Sequence, residues 1–211
     1  MMSLVEWPEL LEEGGESIKK LYPQDVIDKA IKLVADIGSV GSYTHSQGLP
    51  MVREAVARFI ERRDGFPSHP GHVFLTNGAS DAVTRILECI ITSPKIGVMI
   101  PIPQYPLYSA VVTLLDGTAV PYYLDESMGW SLCCSELERS ISEARQQGTD
   151  VRALCIINPG NPTGSCFSES TLKDIVAFCK RQGLILLADE VYQDNVYVAQ
   201  PFFSARKAAC E

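Results

Sequence analysis

The chain has no apolar run approaching the roughly 18 residues needed to cross a bilayer, so nothing in it predicts membrane insertion. Basic residues are in the minority: 18 Lys and Arg stand against 26 Asp and Glu, for a formal net charge of −8. They are also scattered, and phosphate-backbone recognition needs a basic face, so nucleic-acid binding is set aside. The cysteines Cys89, Cys133, Cys134, Cys155, Cys166, Cys179 and Cys210 show no CxxC spacing and no neighbouring histidine, which argues against a metal site. Their odd count suits a reducing compartment. The opening Met1-Met2-Ser3-Leu4-Val5-Glu6-Trp7 has no basic n-region and no long apolar h-region, and Glu12, Glu13 and Glu16 follow. A cytoplasmic protein is therefore expected, with a mitochondrial or peroxisomal address left to any longer form. There are no repeats and no low-complexity linker. Lysine is scarce toward the end of the sequence: after Asp189 only Lys207 remains.

What is present is ample material for a core, with 46% hydrophobic residues in 211. From about residue 72 onward strand-like and helix-like segments alternate, which favours a parallel sheet covered by helices. The strand candidates are 72–76, 96–100, 119–123, 153–157 and 184–188, several of them apolar on both faces, as strands buried between two helix layers must be. Ser135 with Glu138 three residues on reads as a capping box, and Leu137, Ile141 and Ala144 follow at helical spacing. Ser168 opens a second helix carrying Leu172, Ile175, Val176 and Cys179, and Gly183 closes it. Upstream, Pro23 and Pro50 mark two more helix starts, the first followed by Val26, Ile27, Ala30 and Val34 and the second by Val52, Val56 and Phe59.

In such a sheet ligands bind outside the carboxyl ends of the strands, so the loops there carry the chemistry. Asn77-Gly78-Ala79-Ser80-Asp81 has two readings. It is a plain turn capped by Asn77 or Ser80, or a phosphate cradle made of helix-start N–H groups and the Ser80 hydroxyl. Pro101 to Tyr108 is a stiff loop with two aromatics; it is a rigid connector or it offers a ring face to a planar ligand. Asn158-Pro159-Gly160-Asn161-Pro162-Thr163-Gly164 is less easily an ordinary turn, because two Asn-Pro pairs fix an irregular backbone after a buried strand. Asp189, at the end of Leu184 to Ala188, would carry a large desolvation penalty unpaired, so a cationic partner is expected. A helix N-cap is its bland use. With no nearby Lys or Arg, a protonated pyridine nitrogen would serve, and Tyr192 would then donate to a phenolate oxygen on the same ring.

These loops in this order, with Gly41 to Gly48 upstream, resemble a class I (fold-type I) pyridoxal-phosphate-dependent aminotransferase. More narrowly, Arg62-Arg63-Asp64-Gly65, Pro101 to Tyr108, Tyr122 to Glu126, Ile156 to Gly164 and Ala188 to Asn195 resemble the alanine aminotransferase group and its glutamate–glyoxylate relatives. The resemblance implies a three-layer αβα sandwich with a mainly parallel sheet, incomplete at the C-terminus. Residues 1–37 would be a helical segment of the small domain or a linker, and 38–211 part of the large pyridoxal-phosphate-binding domain. It implies that Gly78, Ala79 and Ser80 bind the phosphate of pyridoxal 5'-phosphate, that Tyr105 stacks on the ring, and that Asn161 and Tyr192 hydrogen-bond the ring oxygen. Asp189 would pair with the ring nitrogen, and Tyr43 would reach the phosphate of the neighbouring subunit of a homodimer. The implied activity is amino transfer between alanine and 2-oxoglutarate. The departure is the Schiff-base lysine, which the family places some tens of residues beyond the Asp-Glu-Val-Tyr strand after a Ser/Thr-rich stretch. Lys207 matches neither the spacing nor the context, so no catalytic residue is assigned and the chain is expected to be the inactive front half of an enzyme. The alternatives are a non-catalytic homologue that binds cofactor or a full-length subunit, a glutamate–glyoxylate aminotransferase, and a lyase of the same fold.

Overall fold

A computed structural model describes residues 1–13, 15–38, 43–197 and 201–211. They form two compact units, Met1–Thr76 and Asn77–Glu211. The first holds helices α1 (Met2–Glu6), α2 (Glu9–Glu13), α3 (Gly15–Leu21), α4 (Gln24–Ile37) and α5 (Pro50–Asp64). Both prolines act as expected. Pro23 is extended just before α4, and Pro50 is the first residue of α5, where its missing N–H breaks no helical bond. The α4 stripe of Val26, Ile27, Ala30 and Val34 closes a small core with Leu4, Val5 and Ile18. Arg53 ties α5 down by donating from Nε to the Gly48 carbonyl and from Nη1 to the Pro70 carbonyl, each at 3.1 Å.

The candidate strand at 72–76 is not one. Residues Pro70–His72 tighten into a 3-10 turn whose N-cap, His69, accepts from the Gly71 N–H, and the chain then runs extended without a ladder. Leu75 donates to the Gln47 carbonyl, and Phe74 is 68% exposed. The strand expected there is absent, because no strand lies beside this run among the described residues to pair with it.

The second unit contains α6 (Ala79–Ile90), β1 (Ile96–Ile102), α7 (Leu107–Leu114), β2 (Thr118–Tyr123), α8 (Cys134–Gln146), β3 (Asp150–Ile157), α9 (Glu169–Gln182), β4 (Ile185–Asp189) and α10 (Ala205–Cys210). Its four strands are all parallel, in the order β2-β1-β3-β4. The remaining four strand expectations hold to within a few residues. Alternation along the strands sorts the core into two layers. Val98, Ile100, Ala153, Cys155 and Ile157 face Leu87 of α6 and Tyr108, Val111 and Val112 of α7. Met99, Leu154 and Ile156 face Leu137 and Ile141 of α8, Leu172 and Ile175 of α9 and Ala205 of α10. This is the three-layer αβα sandwich with a parallel sheet.

Helix starts show which local signals decide. Ser168 caps α9, accepting from the Thr171 N–H at 3.1 Å, and Gly183 ends it in the left-handed region at φ 70°. The capping box at Ser135 does not form. α8 begins two residues earlier than that box would place it, with Cys133 at its N-cap and no side-chain cap, while Glu138 turns away to Arg181 and Gln182 of α9. Packing sets that start. Leu137 and Ile141 of α8 are fully buried, and each such side chain contributes roughly 1.5–3 kcal/mol, more than the ~1 kcal/mol of a cap.

The order of strands puts a topological switch between β1 and β3, because the chain leaves β1 outward to β2 and returns across it to β3. The carboxyl ends of β1, β3 and β4 therefore share one rim of the sheet. Replacing Ser168→Ala is expected to lower unfolding stability by about 1 kcal/mol, and Ser135→Ala by less than about 0.5 kcal/mol. Urea midpoints of the two variants check this, and equal losses would restore the capping box at Ser135.

Candidate functional site

β3 is followed by Asn158, which is completely buried and makes three hydrogen bonds along the rim. Its N–H donates to the Asp189 carbonyl at 2.9 Å, its Nδ2 donates to the Phe203 carbonyl at 3.2 Å, and its Oδ1 accepts from the Phe167 N–H at 3.0 Å. The loop beyond closes on itself, with Gly160 donating to the Ser165 carbonyl and Gly164 to the Gly160 carbonyl. A Cβ at Gly160 would run into Thr163 Oγ1, so the turn needs glycine there. This leaves Asn161 at the loop's tip, where its Nδ2 makes a long 3.5 Å contact with the Tyr192 hydroxyl. Asn161 and Tyr192 line one open cavity of about 290 Å³.

β4 ends in Asp189. Its Oδ2 accepts from the Tyr108 hydroxyl at 2.7 Å and its Oδ1 from the Val191 N–H at 3.2 Å. The cationic protein partner that desolvation arguments would demand is absent among the described ion pairs, in line with the sequence. Two neutral donors and partial exposure meet the need instead. Tyr108 itself is 1% exposed, and burial first, then its bond to Asp189, raise its phenol far above the ordinary value, so it remains a protonated donor. Burial and the Asp189 charge push the Cys155 thiol, in the same layer, up to about 12.

At the start of α6, Gly78 is the N-cap at φ 83° and ψ 170°, a conformation open essentially to glycine alone. Neither Asn77 nor Ser80 caps the helix. The Asp81 carboxylate accepts from the Asn77 N–H and pairs with Arg85. The cap expected from Asn77 or Ser80 therefore does not form, and the start of α6 remains a turn led by glycine.

Ala79 and Asp189 line one open cavity of about 430 Å³, with Val83, Ile86, Tyr108 and Leu187 as its apolar wall. Gly78 and Ser80 flank Ala79 in sequence, but they and Tyr105 do not line it; Tyr105 is a partly exposed side chain on the loop between β1 and α7. Tyr43 belongs to the other unit and is fully exposed, while Gly41 and Ser42 of its motif lie outside the described residues. Lys207 sits on α10, its Nζ 4.8 Å from the centre of the Phe203 ring. α10 packs against α9 in the layer opposite Tyr108. The sequence reading missed two residues of this rim, Asn158 as the anchor of the loop and Tyr108 as the partner of Asp189. Both stood inside quoted motifs, but nothing in one sequence pairs positions 81 residues apart.

The donor set fits a flat, anionic, nitrogen-heterocyclic group. A carboxylate without a described cation, an amide and a phenol that share a cavity, and a glycine-led helix start are what such a group requires. No described group of three or more His, Cys, Asp or Glu is placed to hold a metal ion, and no described helix is long and apolar enough to cross a membrane.

Residues 15–209 match the protein family described as aminotransferase class I and II. The chain is 49% identical over 209 residues to glutamate–glyoxylate aminotransferase 2 of Arabidopsis thaliana, covering 98% of this chain and 43% of that protein. It is likewise 49% identical over 212 residues to mitochondrial alanine aminotransferase 1 of the same plant, covering 99% of this chain and 39% of that protein. Among solved structures, an aminotransferase from Escherichia coli superposes with a TM-score of 0.75 at 28% identity, over 85% of this chain and 43% of that one. The chain thus spans about two fifths of the length of these relatives.

The burial of the sheet gives a chemical readout, since only a thiolate alkylates readily. Desolvation holds Cys155 and Cys179 up to about 12, so near pH 8 only about one part in ten thousand of either is thiolate. Exposed Cys133 is lowered instead, by the Ser135 hydroxyl and then by the N–H groups opening α8. Iodoacetamide followed by peptide mapping should mark Cys133 first, and Cys155 and Cys179 only after denaturant is added. Native-state labelling of Cys155 at the rate of Cys133 would contradict the buried β3.

Proposed function

The chain belongs to the class I and II aminotransferases, and from that premise we propose that it serves pyridoxal 5'-phosphate-dependent transamination between alanine and 2-oxoglutarate. The observation that carries this reading is Asp189, a carboxylate at the end of a strand that is oriented by two neutral donors and has no described cation of its own. When bound, pyridoxal phosphate supplies a ring whose protonated nitrogen draws electrons away from the substrate α-carbon. Asp189 keeps the proton on that nitrogen. Asn161 and Tyr192, already 3.5 Å apart, donate to the ring oxygen, which would replace their own long contact. The helix start at Gly78, Ala79 and Ser80 receives the phosphate through backbone N–H groups and the positive end of α6, and Tyr105 covers the ring face. Tyr43, fully exposed in a single chain, reaches the phosphate of a neighbouring subunit in a homodimer.

In this reading residues 1–37 are an N-terminal segment of the small domain or a linker and residues 38–211 part of the large cofactor-binding domain, in the cytoplasm. Transfer from glutamate to glyoxylate is the companion assignment, since the relatives of both names are equally similar. The position of Lys207 favours one further reading, a non-catalytic homologue that binds cofactor or a full-length subunit. Its ammonium lies over the Phe203 ring on the layer opposite Tyr108, so it is not assigned as the covalent anchor.

Titration of the 211-residue chain with pyridoxal phosphate, then borohydride reduction and peptide mapping, tests the assignment. Saturable binding is expected with no single stoichiometric lysine adduct, and Asp189→Asn should weaken it about 10- to 100-fold, the worth of a hydrogen bond to a charged group. One stoichiometric adduct at Lys207 would make that lysine an anchor. Absence of saturable binding would remove the cofactor from the assignment.

A further inference from the structure

We propose that Tyr108 is the positioning residue of this site: its buried hydroxyl fixes the Asp189 carboxylate in the orientation that receives the ring nitrogen of the cofactor. The inference rests on the cofactor reading of Asp189 and goes beyond it, because it assigns a residue 81 positions away in the chain to the same act.

The geometry is specific. The carboxylate of Asp189 is gripped at both oxygens, Oδ2 by the Tyr108 hydroxyl at 2.7 Å and Oδ1 by the Val191 N–H at 3.2 Å. The Val191 bond comes from the adjacent turn and moves with it. The Tyr108 bond comes from a different element, the first turn of α7, whose side chains Tyr108, Val111 and Val112 are locked into the layer with Leu87, Ile100 and Ala153. A phenol that is 1% exposed cannot swing aside to let the carboxylate rotate. It cannot lose its proton in the working range either, so the bond always runs from phenol to carboxylate.

Held by these two bonds, Asp189 lines the same cavity as Ala79 and Tyr108. A carboxylate with two fixed donors needs little reorganisation when a cation arrives, and that is the origin of the positioning effect. Tyr108 acts through Asp189 and is not itself assigned a contact with cofactor or substrate.

A pair of ligands tests this without any assay of turnover: pyridoxal 5'-phosphate and its 1-deaza analogue, identical apart from CH in place of the ring nitrogen. Equilibrium binding of each would be measured to the full chain and to its Tyr108→Phe, Asp189→Asn and doubly substituted forms. The chain should prefer pyridoxal phosphate over the analogue, and Tyr108→Phe should shrink that preference by about tenfold, the worth of a charge-assisted bond at the low end of its range. On the Asp189→Asn background Tyr108→Phe should change the preference by less than about twofold, because one hydroxyl acts through one carboxylate. The ratio of the two affinities does not depend on the fraction of protein folded, so a destabilised Tyr108→Phe variant still gives a reading. A preference lost in Asp189→Asn but intact in Tyr108→Phe overturns the role of Tyr108 alone. No preference in the unsubstituted chain, or no binding of either ligand, overturns the cofactor reading of Asp189 and this proposal together.

Discussion

A strand buried on both faces must end somewhere, and the polar groups at its end must find partners as the chain leaves the sheet. That constraint shapes the whole rim of the second unit. At β3 it is met by one residue, Asn158, which continues the β3–β4 pairing by a further bond to the Asp189 carbonyl and spends its amide on Phe167 and Phe203. Each bond contributes about 1 kcal/mol net, but an orphaned group at a fully buried position would cost about 1–3 kcal/mol. The penalty for an error thus exceeds the gain for a success, and this holds the loop root to one geometry. Asn161 inherits its place at the tip from that root.

The two helix layers divide the labour. On one side α8, α9 and α10 bury Leu137, Ile141, Leu172 and Ala205 against the sheet, an almost wholly apolar contact whose work is stability. On the other, α6 and α7 bury Leu87, Tyr108, Val111 and Val112 and carry a polar extension to the rim: the Tyr108 hydroxyl reaches Asp189, and Ala79 at the start of α6 lines the same cavity. The buried hydroxyl that reaches the end of β4 thus belongs to the α6–α7 layer, whereas the buried Tyr122 hydroxyl of the other layer donates inward to the Cys155 carbonyl. Lys207 belongs to the other layer, where its ammonium lies on an aromatic face.

Periodicity and buried-strand composition made four strands, the crossover helix α9 and the parallel class legible in advance, because they are local consequences of which residues can face a core. The Asn158–Gly164 turn and the carboxylate at Asp189 were legible for a related reason: polar residues abutting continuous apolar runs stand out. Three things were not. The capping box at Ser135 failed because tertiary bonds from Glu138 to α9 outcompete a local one. Segment 72–76 has the composition of a strand, but a strand requires a neighbour, which composition does not encode. The Tyr108–Asp189 bond joins two elements brought together only by the crossover through β2 and β3.

The exposure of β4 follows from the same principle and bears on what the cavity can hold. Leu184 to Ala188 reads as a strand buried on both faces, yet among the described residues β4 pairs only with β3, and Ile185 is 51% exposed. Leu186, Leu187 and Ala188 of β4 form, with Ala82, Val83 and Ile86, the apolar wall of the cavity that Asp189 lines. An apolar wall repels water, and near it a carboxylate meets a weaker competitor for any cation that arrives. A small hydrated cation gains little from such a wall, because it would have to give up its water without recovering the contacts. A flat aromatic cation recovers both terms at once, burying its ring faces against the aliphatic side chains while its ring N–H meets the carboxylate. Under the proposed function, the apolar wall and the fixed carboxylate would act together on a protonated pyridine ring.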